Sequence, residues 1–407
     1  MTATDPAKLS RQCHSAGQSY LSKLTLNPAF DRDEFLRTTW QQKPALLPQL
    51  VPNFKDLISP SELAGLACEE LVESRLITEP KPGKWSVQHG PFIESDFTSL
   101  PEKRWTVLVQ AVDQWLDEVA ALRALFEFIP RWRIDDVMIS YAADEGGVGP
   151  HFDHYDVFLL QGSGQRLWRT GSKVAADVEL DNQDGVGILR SFVAEQEFIL
   201  NAGDALYIPP QYAHWGQSLG ASACYSIGFR APALSEMLEG FSDALIADCL
   251  PSQRYIDAEF TVPAHPASID PVSVAANFQK LSDRLNSPEQ FARWFGCWVT
   301  RPKYPELREP PRSLLNMKAM RKALAAGRHF KYSSTTRFAF LAPLTGNSIL
   351  LFADGDVFEL PRKYVDVIQQ LCEPTMLKQM DFSNIEESSP LLAALLQLRN
   401  QGSLRLS

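Results

Sequence analysis

Between Trp132 and Pro232 apolar and polar residues alternate in short runs: RWRIDDVMISYAA, HFDHYDVFLLQ, QRLWRTG, QEFILNAGDALYIPP and ACYSIGFRAP. Gly and Pro turns separate them. A period of two puts successive side chains on opposite faces of a strand, and short strands at near-regular spacing predict a barrel or jelly roll. The flanks have the helical period instead. Asp31 to Trp40 reads as a helix. Ser59-Pro60-Ser61-Glu62 is a helix start, with serine as N-cap, proline in the first turn and glutamate at the third position; it predicts a helix to about Val72. Trp85–His89 and Arg104–Leu108 read as strand or helix pieces. In Asp113–Phe128, Trp115, Leu116, Val119, Leu122 and Leu125 recur at helical spacing. Beyond Pro232 the pattern is helical over Ser235–Cys249, Pro271–Leu285 and Pro288–Val299. After a proline-rich linker at 301–313 come a helix at Leu314–Ala326, strands at Phe338–Leu341 and Ser348–Phe352, a turn at Asp354-Gly355-Asp356, and helices at Arg362–Cys372 and Ser389–Arg399. That mixture predicts a small winged-helix-like module.

Candidate chemistry concentrates in GGVGPHFDHYDVFLLQGSGQRLW, Gly146 to Trp168. A Gly-Pro turn leads into a run with strand character, and the Gly-Ser-Gly that follows reads as a hairpin turn. On a strand His151, Asp153 and Tyr155 share a face and His154 points away. An imidazole and a carboxylate two residues apart supply two corners of a metal site. AGDALYIPPQYAHWG offers the third in His214, after a short strand that Pro209-Pro210 stops. Two histidines and one carboxylate with open positions are the donor set of non-haem Fe(II) oxygenases. Arg166 has the rigid two-pronged donor needed to hold the far carboxylate of a chelating 2-oxoacid. Whether it faces the metal depends on the turn: a four-residue or bulged turn puts it there, a plain three-residue turn does not.

RWRIDDVMIS, GGVGPHFDHYDVFLLQGSGQRLWR, GDALYIPPQYAHWG and YSIGFRAP resemble the JmjC-type 2-oxoglutarate oxygenases. More closely they resemble the bacterial ribosomal oxygenases of the YcfD/RoxA type. The resemblance implies a mainly β core (a double-stranded β-helix, or cupin/JmjC jelly roll) with flanking helices, a helical dimerisation region and a C-terminal winged helix. Its implied divisions are an N-terminal extension at 1–27, a catalytic domain at 28–232, the dimerisation region at 233–308 and the winged-helix-like domain at 309–407. It carries Fe(II) onto His151, Asp153 and His214, and 2-oxoglutarate, used with dioxygen, onto Arg166. The implied reaction is hydroxylation of an arginine, at C3, in ribosomal protein sixteen of the large subunit. Asp136, Met138, Tyr155 and Ser226 would line the arginine pocket. Chemically, a guanidinium wants a carboxylate, hydroxyl acceptors and an apolar or aromatic wall. Asp136 could instead be satisfied by Arg131 or Arg133.

Composition limits the alternatives. The 407 residues exceed one typical domain, and 45% hydrophobic with 22% charged residues is an ordinary globular balance. Six scattered cysteines without a Cys-x-x-Cys pair read as reduced thiols of a cytoplasmic protein. The N-terminus has no signal-peptide core, and no apolar run approaches a membrane span. A net charge of −10 disfavours a dedicated nucleic-acid binder and suits a basic polypeptide partner. Lys318, Arg321, Lys322, Arg328 and Lys331 form a local basic cluster, read here as a solvated helix face. Two competing functions remain: hydroxylation of a histidine in another ribosomal protein, and a non-catalytic cupin/winged-helix regulator associated with nucleic acid.

Overall fold

The computed structural model describes residues 24–407 except 176–177, 184–185, 256–261, 263–264, 309–310, 334, 343–345, 374–376, 378–379, 381 and 383–384. Most of the expected N-terminal extension, with His14 and Cys13, lies outside the described residues. The chain divides into two compact units, Met1–Ala231 and Pro232–Ser407.

The first unit begins with α1 (Arg32–Thr38), capped by the Asp31 carboxylate, and β1 (Ala45–Leu47). Helix α2 (Pro60–Ala67) has the expected capping box, Ser59 with Glu62, but stops at a Cys68 C-cap, short of Val72. Then come β2 (Ser74–Lys81), β3 (Lys84–His89), α3 (Glu94–Thr98) and β4 (Trp105–Val109). The single helix expected over Asp113–Phe128 is broken into α4 (Asp117–Leu122) between two short 3-10 turns. The cause is Asp113. Its buried carboxylate accepts from the Val137 N–H at 2.8 Å and from Arg123 at 2.9 Å, tying the segment's start to the sheet. Ala111, at φ 51°, turns the chain into that position.

Nine strands follow: β5 (Ile134–Ala142), β6 (Val157–Gln161), β7 (Gln165–Lys173), β8 (Leu180–Gln183), β9 (Val186–Leu189), β10 (Gln196–Leu200), β11 (Ala205–Ile208), β12 (Tyr212–Leu219) and β13 (Ser222–Phe229). With β1–β4, and leaving β8 and β9 to pair with each other, they make an eight-stranded sheet, β1-β11-β6-β13-β5-β4-β2-β3, facing a three-stranded sheet, β10-β7-β12. The Gly-Ser-Gly turn is not a hairpin. Strand β6 pairs with β11 and β13, whereas β7 pairs with β10 and β12, so the turn carries the chain from one sheet to the other. This is the double-stranded β-helix. Its outer face is sealed by Phe35, Trp40, Phe126, Phe158, Tyr207 and Phe229, which pack ring against ring under the N-terminal helices. Between the sheets lies a smaller apolar cluster of Leu159, Trp168, Leu200, Leu206 and Ile208.

The second unit opens with α5 (Leu234–Ala247), α6 (Pro271–Leu285) and α7 (Pro288–Thr300). Gly296 lets α7 lie directly on the Phe352 ring, where a Cβ would come within 2.3 Å. After it come α8 (Met317–Ala325), β14 (Phe330–Tyr332), β15 (Phe338–Leu341), β16 (Ser348–Ala353), β17 (Asp356–Pro361), α9 (Val365–Leu371), α10 (Pro390–Gln401) and β18 (Leu404–Leu406). Met320, Phe330, Leu351, Ile368, Leu395 and Leu398 are among its fully buried core residues, in a winged-helix arrangement. The described cysteines are all free thiols, and no helix among the described residues is long and apolar enough to cross a membrane.

Candidate metal centre

His151, Asp153 and His214 converge. Each offers one ligand atom, and these atoms lie within 4.8 Å of one another. The imidazole rings are 4.2 Å apart at their centroids, and His214 Nε2 is 3.6 Å from Asp153 Oδ2. Backbone pairing brings them together. The His151 N–H donates to His214 O at 3.0 Å, and the His214 N–H donates to His151 O at 2.8 Å. The segment before Asp156 is not a continuous strand, as the alternation suggested; only His151 bridges, and β6 starts at Val157. Asp153 is held separately, by the Gln211 N–H donating to its carbonyl at 2.6 Å. Gln211 follows Pro209-Pro210 and adopts φ 67°, so the turn that ends β11 also fixes the carboxylate's backbone. His154 is exposed against Phe152, away from the site, as expected.

Each histidine is oriented for ligation. His151 Nδ1 is 2.9 Å from Gly149 O and His214 Nδ1 is 2.9 Å from Tyr212 O. A carbonyl can only accept, so Nδ1 carries a proton and Nε2 is the atom left to ligate. Burial, aided by neighbouring His151, lowers the His214 pKa to about 4 and keeps it neutral. Gly149, at φ 88°, is wedged against Trp85 and Ile188, which would meet any Cβ within 2.9 Å. The Leu189 N–H of the β8–β9 hairpin donates to Pro150 O at 2.9 Å. Two imidazoles and a carboxylate, all on one side, fit a six-coordinate divalent ion such as Fe(II).

Arg166 lies on β7, deeply buried. Nε donates to Ser222 Oγ and Nη1 to Ser140 Oγ, both at 2.9 Å, and Nη2 reaches the carbonyls of Ser140 and Ser222 at 3.3 Å. Burial depresses its pKa, and among the described residues no carboxylate is within ion-pair distance. A buried cation without a counter-charge costs several kcal/mol. The arrangement therefore suits an anionic ligand. Strand parity settles what the turn could not: Arg166, Trp168 and Thr170 lie opposite Ser218, Gly216 and His214 on β12. Trp168 fills the floor between Arg166 and His214 because Gly216 has no side chain; a Cβ there would come within 2.6 to 2.8 Å of the indole.

Beside the triad, Asp136 and Met138 on β5 and Ser226 on β13 share one face, with Ser226 opposite Met138. Burial, then the Asp153 and Asp136 charges, push the Tyr155 phenol up. A Cβ on Gly228 would be 3.8 Å from Asp136 Oδ1 and 3.9 Å from the Tyr155 ring, so these three border one space. Gln110 donates to Asp136 Oδ2 at 2.8 Å. Arg133 pairs with Asp156 and Arg131 with Glu127. Ser222, Gln110, Trp168 and Gly216 were not singled out from the sequence. Ser140 carried a signal, since it shares parity with Asp136 and Met138.

A JmjC domain model matches residues 121–237 and a ROXA-like winged-helix model residues 279–405. The chain is 36% identical over 385 residues to the ribosomal protein uL16 3-hydroxylase of Escherichia coli K12, covering 93% of this chain and 98% of that one. A crystal structure of E. coli ycfD superposes with a TM-score of 0.84 at 34% identity, covering 94% of this chain and all of that one. The E. coli ribosomal oxygenase YcfD in complex with cobalt and 2-oxoglutarate gives a TM-score of 0.79 at 34% identity, covering 95% of this chain and all of that one.

Proposed function

The chain belongs to the JmjC-type ribosomal oxygenases, and from that membership we propose that it hydroxylates C3 of an arginine in large-subunit ribosomal protein uL16, using Fe(II), 2-oxoglutarate and dioxygen. One observation carries the reading: a His-Asp-His cluster and a buried guanidinium without a carboxylate partner, set on the same face of one barrel. His151, Asp153 and His214 would hold the metal, and Arg166 the distal carboxylate of 2-oxoglutarate. Dioxygen would be the oxidant: bound iron would activate it, 2-oxoglutarate would give up two electrons as it becomes succinate and carbon dioxide, and the substrate C–H bond would give the other two.

The chain's own residues bind and aim the substrate. Asp136, steadied by Gln110, takes the guanidinium, and Ser226 adds a hydroxyl. Tyr155 and Met138 wall the aliphatic stem. A carboxylate at this point favours a permanently cationic side chain over a histidine. The Ser140 and Ser222 hydroxyls hold Arg166 in one orientation before any anion arrives. The barrel's apolar residues keep bulk water from the reacting carbon.

The apolar, exposed side of α6 supports a homodimer through residues 233–308, and a ribosomal-protein substrate supports a cytoplasmic location. The test is mass spectrometry of uL16 from cells lacking the gene. The protein should lack the mass of one oxygen on a single arginine. The wild-type gene should restore it, and an Asp153→Ala gene should not. Restoration by Asp153→Ala would refute the ligand assignment.

A further inference from the structure

The net charge of −10 conceals an uneven distribution. Residues 310–353 contain seven Lys and Arg and no Asp or Glu, and residues 388–407 contain two Arg and no acid. With 49 acids in 407 residues, 64 average residues would carry about eight. The fold joins these two stretches within the second unit. Strand β14 pairs with β18, and Asn400 exchanges hydrogen bonds with the Leu315 backbone at 2.8 and 2.9 Å. Arg328 donates to Leu406 O at 2.7 Å, and Arg399 to Ser313 O.

The pairing stacks like charges. Lys331 is directly opposite Arg405, both exposed, and a like-charged cross-strand pair is unfavourable by itself. Lys318 and Lys322 stand one turn apart on the solvent side of α8, and exposed Arg328 lies between that helix and β14. Burial and the charge of Arg328 both lower the Arg399 pKa, which marks the two as close neighbours. Lys318, Lys322 and Lys331 have no carboxylate within ion-pair distance among the described residues. On α8, Arg321 pairs with Glu387 at 3.9 Å, at the edge of this surface, but Lys318 and Lys322 on its solvent side and Lys331 on β14 are left without such a counter-charge among the described residues. Such a surface gains most from a polyanion of regularly spaced charges.

We infer that the α8–β14–β18 face of the winged-helix unit is a docking surface for the phosphate backbone of RNA. The choice of RNA as the polyanion rests on the proposed function, because a ribosomal-protein substrate is built to lie on RNA. Contacts of this kind position a partner without reading its sequence.

The test uses the full chain and fluorescence anisotropy of a fluorescein-labelled RNA hairpin of arbitrary sequence. Binding should be evident at about 50 mM salt and fall steeply by about 200 mM. A Lys318→Glu, Lys322→Glu, Lys331→Glu triple variant should lose at least about tenfold in affinity, and its log–log salt slope should fall by about 3. Its hydroxylation of a short uL16 peptide should be unchanged. If that variant melts early, the Lys→Gln triple serves, with a smaller loss of the same sign. No hairpin binding at low salt, wild-type affinity in the triple variant, or binding of the matching DNA duplex as tight as that of RNA would overturn the inference. So would displacement by poly-L-glutamate at equal charge concentration. The two proposals fail separately. RNA binding without peptide hydroxylation would count against the oxygenase reading alone, and hydroxylation without RNA binding against this surface alone.

Discussion

Arg166 costs the fold energy until an anion arrives, so the interactions that position it ought to be measurable in co-substrate affinity rather than in stability. Arg166→Met should raise the KM for 2-oxoglutarate on the order of a hundredfold, about 3 kcal/mol. Arg166→Lys should recover little, because a point charge cannot use Ser140 and Ser222 as the planar fork does. Equal 2-oxoglutarate KM values for Arg166→Met and wild type in steady-state assays would remove Arg166 from the site. Gly216→Ala probes the same floor from below. The added methyl must displace the Trp168 ring, which lies between His214 and Arg166, so KM for 2-oxoglutarate should rise several-fold while the chain stays folded by circular dichroism. At this scale the sequence was legible where residue type constrains chemistry. His151, Asp153, His214 and Arg166 could be named from donor type and spacing. Ser222 and Gln110 could not. A serine bonded to an arginine 56 positions away leaves no local trace.

Elements were legible where a local rule decides them, as in the Ser59 capping box and the prolines that open α6 and α7. They were misread where tertiary contacts override the pattern. Asp113 broke a helix that its periodicity supported. The Gly-Ser-Gly turn looks like a hairpin locally, but pairing is decided by β11 and β13, strands far downstream. Helix α6 is the element whose pattern asks for something beyond the single chain. It has no fully buried residue, and Val274, Phe278, Leu281 and Leu285 form a stripe that is 45% to 69% exposed. An apolar stripe of that kind is stable in water when covered. A second copy of the same helix region would cover it, and Phe278→Glu with Leu281→Glu should then shift the protein from dimer to monomer in sedimentation. An unchanged sedimentation coefficient would place the dimer contact elsewhere, or show that there is none.

Across the whole molecule, the division of charge bears on how a substrate is found. The first unit, Met1–Ala231, holds 30 Asp and Glu against 20 Lys and Arg, so the entire net charge of −10 resides there. The second unit is balanced overall, its basic stretches offset by acids elsewhere in it. No windowed motif announces this; it emerges only when the fold says which residues belong together. A ribosomal-protein peptide rich in Lys and Arg should therefore be drawn to the catalytic unit by long-range attraction, which salt screens over about 8 Å at physiological strength. Raising salt from about 50 to about 300 mM should lower kcat/KM for such a peptide several-fold, through KM, with kcat nearly constant. Substituting the peptide's basic residues away from the target arginine should flatten that dependence. The Lys318, Lys322 and Lys331 charge reversals should leave it as it is, because the attraction that brings the peptide belongs to the other unit. If kcat itself falls with salt, the charge acts at the chemical step, within reach of Asp136 and Asp153, and not on the approach.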